Sequence, residues 1–214
     1  MANIATNTYL FYGDDKEEII KCHKTLNDLF EKIGSNESCV PVPPHNAEWI
    51  YFISDINPDV DHADIFYMDT ESKWYGNPTY WQQWVKENFP KLSVAFRCYE
   101  PGFGIFEQVD PDNMFSAELV FLYGTNISAT ELEKLPIQYK DYVGMNGDTH
   151  DDGYYIFGAY DKSELFNDNF KSTDLPESIE MREFTEYTYE ELQQLHDLWT
   201  PGDVNDPDDW KELA

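Results

Sequence analysis

The chain is 214 residues long and carries 14 Lys and Arg against 42 Asp and Glu, a formal net charge of −28. That balance argues against binding DNA or RNA through phosphates, which needs clustered Lys and Arg to displace counterions, and against anionic membrane surfaces for the same reason. With 41% apolar residues and 6 Trp, 15 Tyr and 14 Phe, the chain holds enough core material to exclude disorder through lack of it.

Residues 3–12 read as a strand ended by Gly13. Asp14 and Asp15 then stand where acids help a helix start. Ile19, Ile20, Leu26, Leu29, Phe30 and Ile33 recur at roughly helical spacing up to Gly34, so a helix is predicted over 15–33. A loop from Ser35 to Asn46 contains Pro41, Pro43 and Pro44. Trp49 to Ile53 reads as a buried strand or the start of a short helix, and residues 65–74 alternate as a strand. Gly76-Asn77-Pro78 predicts a helix start, with Asn as the cap and Pro at the first helical position. Trp81, Trp84, Val85 and Phe89 form the apolar stripe of that helix, and Pro90 ends it. Residues 92–99 read as a strand, Glu100 to Gly104 as a turn, and 105–109 and 115–123 as further strands.

The order strand, helix, strand, strand, helix, strand is the pattern of a ferredoxin-like unit. The expected fold class is α+β, an antiparallel sheet with two helices on one face over 1–125, followed by a smaller C-terminal α+β extension over 126–202. In the extension, Ser128 to Glu131 matches a capping box and Pro136 keeps its helix short. Residues 154–160 and 180–187 read as strands, and Thr188 to Glu191 matches a second capping box opening a helix to about Trp199. An acidic tail, 203–214, carries Asp203, Asp206, Asp208 and Asp209. Charge is uneven: residues 1–110 hold 8 basic and 18 acidic side chains, net −10, and residues 111–214 hold 6 and 24, net −18.

Trp74-Tyr-Gly-Asn-Pro78, a Trp-bearing helix, Asn88-Phe-Pro-Lys-Leu92 and Phe96-Arg-Cys-Tyr-Glu-Pro-Gly-Phe-Gly104 together resemble the YubB-type ferredoxin-like family carried by plasmids and phages. Met1-Ala-Asn3, Asn7 and Gly13 are similar too, so the resemblance covers residues 1–110. It implies a ferredoxin-like fold and a mobile-element setting. It implies no activity, and no functional residue carries over.

Residue patterns for chemistry are sparse. Asn146 to Gly153 concentrates oxygen ligands, but read as a calcium loop from Asp148 it puts His150 at the third position and Ala159 where a bidentate Glu is needed, so a solvated acidic turn is expected. The histidines His23, His45, His62, His150 and His196 form no zinc-binding spacing, and Cys22, Cys39 and Cys98 are too far apart for a C-x-x-C pair. Cys98 lies in a strand, where a small buried hydrophobe is the default. Three widely spaced cysteines fit reduced thiols, the opening residues lack the basic and apolar regions of a leader, and no apolar run approaches the ~20 residues of a membrane span. A cytoplasmic protein with no cofactor, no metal site and no membrane contact is therefore expected, its oligomeric state open.

Trp49, Trp81 and Trp84 are expected in the core, whereas Trp74 and Tyr75, at a strand–helix junction, are candidates for an exposed partner contact. The leading expectation is a non-enzymatic acidic accessory protein that binds a basic protein partner through Trp74, Tyr75, Asp148, Asp151, Asp152, Asp203, Asp206, Asp208 and Asp209. Twenty-eight charges equal the charge on about 48 Å of duplex DNA, and a compact chain of this length is about 44 Å across, so DNA mimicry or an anti-defence role is compatible with the charge. The alternative is a small cytoplasmic hydrolase or ligand-binding protein with a site near His150 and Asp151, or His62. A third reading is a domain acting through an exposed sheet edge or an aromatic patch near Trp74.

Overall fold

A computed structural model of the chain describes residues 4–33, 39–40, 48–56, 65–73, 75–102, 104–115, 117–136, 144–145 and 153–197. The fold is α+β: two mostly antiparallel sheets, with five α-helices among the described residues. The chain divides into two compact units, Met1–Met114 with Glu186–Ala214, and Phe115–Thr185.

In the first unit the elements are β1 (Ile4–Tyr12), α1 (Lys16–Ile33), β2 (Cys39–Val40), β3 (Glu48–Ile53), β4 (Ile65–Lys73), α2 (Pro78–Asn88), β5 (Ser93–Glu100) and β6 (Ile105–Val109). Near the other end of the chain come β11 (Thr185–Glu186) and α5 (Tyr189–Asp197). The sheet order is β11-β6-β5-β1-β4-β3-β2. β1 is the middle strand, its core-face residues Ala5, Asn7, Tyr9 and Phe11 fully buried, and its register sets Tyr9 opposite Met68 on β4 and Phe96 on β5.

Strand side chains alternate between faces. Tyr9, Phe11, Phe66, Met68, Ile50, Val94 and Phe96 share a core with Ile19, Cys22 and Leu26 of α1, Trp81 and Val85 of α2 and Leu192 of α5. Phe11 stacks on Phe66 at 4.8 Å, and Trp81 meets Phe11 edge-on at 6.5 Å. Burying several such rings stabilises this unit.

The second unit holds β7 (Leu119–Ile127), α3 (Ala129–Leu132), β8 (Gly144–Met145), β9 (Tyr154–Asp161), α4 (Lys162–Leu165) and β10 (Ile179–Glu183), with sheet order β10-β7-β9-β8. Its own core gathers Val120, Leu122, Ile127, Leu135, Ile156, Leu165, Phe170 and Ile179. Lys162 bridges Glu118 at 2.5 Å and Glu183 at 2.9 Å on its surface.

Most predicted elements are present, with instructive differences. Trp49 to Ile53 lies in a strand, not a helix. Cys39–Val40 forms a short strand against β3 inside the stretch expected to be loop. The strand expected over 115–123 starts at Leu119 and runs to Ile127, and the one expected over 180–187 breaks at Phe184 into β10 and β11. The helix after Thr188 belongs to the first unit, because Leu192 enters that core, whereas the sequence pattern groups it with the extension. Asn77 does not cap α2 with its side chain. Its Nδ2 donates instead to Glu48 Oε2 at 3.1 Å, since a buried carboxylate needs the donor more than the helix end does.

Candidate functional site

Two features of the first unit carry chemistry. The first is Glu48, fully buried on the core face of β3. Its Oε1 accepts from Tyr9 Oη at 2.5 Å, Thr70 Oγ1 at 2.6 Å and Asn7 Nδ2 at 3.4 Å. Its Oε2 accepts from Trp81 Nε1 at 2.9 Å and Asn77 Nδ2 at 3.1 Å. Burial raises the Glu48 carboxyl above its ordinary pKa, opposed by the hydrogen bonds from Thr70, Tyr9, Trp81 and Asn77. Gly76 is required beside this network: a Cβ there would lie 2.6 Å from Asn7 Oδ1 and 2.8 Å from Tyr9 Oη. The neighbouring Cys98 thiol is held protonated, because burial first and then Glu107, Glu48 and Glu100 push it up. Cys22 is likewise pushed up to about 12, by burial and then Glu18. A fully buried carboxylate with five neutral donors is a satisfied polar core, and Cys98 and Cys22, with their thiols pushed up by burial, are poor nucleophiles.

The second feature is the opposite face of the same sheet. On β4 the residues Ile65, Tyr67, Asp69 and Glu71 alternate with the core residues Phe66, Met68 and Thr70. On β3 the register slips: Ile50 opposes Thr70, yet Phe52 opposes Asp69, so Tyr51 is an extra residue in a bulge. The slip puts two successive rings on the surface. Tyr51 is 50% exposed, Phe52 43% and Tyr67 41%, and Phe52 lies 5.6 Å from Tyr67. Thr8 donates to Asp69 at 2.7 Å, and partial burial raises the Asp69 carboxyl against that bond. The Tyr51 hydroxyl is pushed up by partial burial first, then by Asp69, Tyr99 and Glu71, which places those groups around it. Arg97, opposite Thr8 on β5, donates to Gln108 at 2.6 Å and feels Asp110 and Glu186. The outcome is exposed rings and carboxylates side by side, an arrangement that attracts cations twice, through ring quadrupoles and through charge.

At the Tyr12 end of β1 a cavity of about 600 Å³ opens, lined by Tyr12, Gly13, Asp14, Ile65, Lys91, Ser93, Asp112 and Met114. Tyr12 donates to Asp112 at 2.7 Å, and Lys91 is paired with Asp15 at 2.5 Å. The second unit shows rings of its own: Tyr123, Tyr155 and Phe157 are exposed, and Phe157 meets Phe121 edge-on at 5.0 Å.

Of the residues singled out from sequence, Trp74, Asp148, Asp151, Asp152, Asp203, Asp206, Asp208 and Asp209 lie outside the described residues, as do His62 and His150. Tyr75 is half-buried and packs against the first core, its carbonyl accepting from Ser72. Trp81 is buried as expected, and Trp84 packs against the same core. Among the described residues no group of three or more His, Cys, Asp or Glu is placed to hold a metal ion, and no described helix is long and apolar enough to cross a membrane. Tyr51, Phe52, Tyr67 and Asp69 are not singled out by any motif in the sequence. The alternation Phe66-Tyr67-Met68-Asp69-Thr70-Glu71 contained the signal for Tyr67 and Asp69, but nothing in the sequence announces the bulge at Tyr51.

Comparison with known proteins yields no matching family model, no matching curated protein and no matching solved structure.

Proposed function

We propose that this protein is a non-enzymatic binding module that docks a lysine- and arginine-rich segment of a protein partner on the sheet face formed by Tyr51, Phe52, Tyr67, Asp69 and Glu71. The observation that carries the reading is the exposure of Tyr51, Phe52 and Tyr67 on the same face as Asp69. A net charge of −28 favours the same class of partner, by drawing cations in over the Debye length. Nucleic acid could stack on such rings, but the interleaved carboxylates repel its phosphates.

The framework for this face is read as a ferredoxin-like unit. The order β5-β1-β4-β3 with antiparallel neighbours supports it, as do His23 of α1 against Phe66 and Trp81 of α2 against Phe11, contacts to two core-face residues paired across β1 and β4. A mobile-element setting rests on the resemblance of residues 1–110 alone. Mimicry of DNA needs an acid-only surface, and the mixture of rings and carboxylates favours recognition of a cationic side chain over imitation of a phosphate backbone.

The test titrates the full chain with fluorescent heptalysine and with its fully acetylated form, at low and high salt. Binding of the charged peptide alone, weakened by salt, is expected. The triple variant Tyr51→Leu, Phe52→Leu, Tyr67→Leu keeps every formal charge, and loss of three exposed cation–π contacts lowers affinity about tenfold. Equal affinity of parent and variant would overturn the reading.

A further inference from the structure

The docking face runs at one end into the cavity around Tyr12. Ile65 stands two residues before Tyr67 on the same side of β4, about 7 Å along the strand. It pairs with Tyr12, just as Tyr67 pairs with Leu10. The cavity walls are of two kinds. The ring of Tyr12 with Ile65 and Met114 offers apolar surface, and Asp14, Asp112 and Ser93 offer oxygen atoms. Lys91, the cation of the lining, has its Nζ on Asp15. Apolar walls with carboxylates complement a methylene stem ending in a positive charge, the way lysine and arginine bury stems and keep their heads solvated or paired. A volume of about 600 Å³ lies within the range of pre-formed ligand pockets.

We infer that this cavity receives a lysine side chain of the basic segment docked on the neighbouring face, with its stem against Tyr12, Ile65 and Met114 and its ammonium on Asp112 and Asp14. The inference rests on the proposed cation-docking function and adds the pocket that anchors it. An asparagine at position 112 still accepts from Tyr12, so Asp14→Asn with Asp112→Asn removes charge and keeps shape. The control removes the same charge elsewhere, at the exposed Glu31 and Glu177, through Glu31→Gln with Glu177→Gln.

The full chain is titrated with heptalysine while the Met114 methyl resonance is followed. The Met114 signal is expected to shift in the parent. The cavity pair is expected to bind about tenfold more weakly than the control pair, as loss of charge-assisted bonds dictates. If heptalysine binds the parent, yet the cavity pair matches the control pair and the Met114 methyl stays in place, the anchor pocket is refuted and the docking face stands. If heptalysine fails to bind the parent at low salt, both fall together. The Met114 readout needs no variant, so a folding defect in the cavity pair leaves the inference open to refutation.

Discussion

At the scale of single residues, Glu48 decides how the first unit behaves with pH. Its carboxylate takes five hydrogen bonds and meets no buried cation among its described partners. Replacing it with glutamine puts an NH₂ where a carboxylate oxygen was. With the NH₂ at Oε2 it faces the indole N–H of Trp81, which can only donate; at Oε1 it forces Tyr9 and Thr70 to turn their hydroxyls. One buried donor is left unsatisfied, so Glu48→Gln is expected to destabilise the protein by about 2 kcal/mol at neutral pH, read from urea unfolding. The pH dependence has the opposite sense. Burial holds the folded pKa of Glu48 above its ordinary value. Between the two values the native state binds more protons than the unfolded chain, so stability falls as pH rises and the fall is complete above the folded pKa. Parent unfolding free energy should therefore decline across that window, and Glu48→Gln should flatten the decline. An unchanged slope in the variant would assign the effect to other groups, such as Asp69, whose carboxyl is also raised by burial.

At the scale of elements, local chemistry that satisfies itself was legible in the sequence. Ser128 Oγ accepts from Glu131 N at 3.2 Å while the Glu131 carboxylate accepts from Ser128 N, and Thr188 and Glu191 repeat the exchange. Both capping boxes are where the spacing put them, because a capping box involves only residues three apart. Thr188→Ala is expected to lower stability by about 1 kcal/mol, visible as a lower urea midpoint with an unchanged slope. α5 sends Leu192 into the core, and Tyr189 donates to the Val94 carbonyl at 2.5 Å, so fraying at Thr188 is felt by the sheet. What was illegible depended on long-range partners. Asn77 reads as a cap and becomes a ligand of Glu48, a residue 29 positions earlier. Glu48 itself looks like one more surface acid, and only the meeting of Tyr9, Thr70 and Trp81 explains its burial. The bulge at Tyr51 arises from how β3 seats on β4, so the most exposed ring of the candidate face looked like part of a buried strand. The long elements β1, α1, β4, α2 and β5, in contrast, followed from periodicity and turn residues, whereas Trp49 to Ile53 stayed open between strand and helix and the short β2 and β8 gave no signal.

At the scale of the whole molecule, charge is the property that sequence states outright and that single contacts do little to offset. The described ion pairs, Lys24–Asp28, Lys91–Asp15, Lys162 with Glu118 and Glu183, and Arg182–Glu180, all lie at the surface. Exposed pairs of this kind contribute little, because water screens the attraction and ordering two long side chains costs entropy. With 42 acids and 14 bases, 28 carboxylates are in excess, so repulsion outweighs pairing. Salt screens both, but the larger effect is the repulsive one, and the fold is expected to gain stability as sodium chloride is added. Each kilocalorie gained raises the melting midpoint by ~2–4 °C in a chain of this size. Binding of heptalysine is expected to respond with the opposite sign, because screening would remove the proposed attraction. One salt series thus separates the two roles of the charge: thermal midpoints should climb while heptalysine affinity drops. A midpoint that falls with salt would mean that local ion pairs, and not the excess of carboxylates, dominate the electrostatics of the fold.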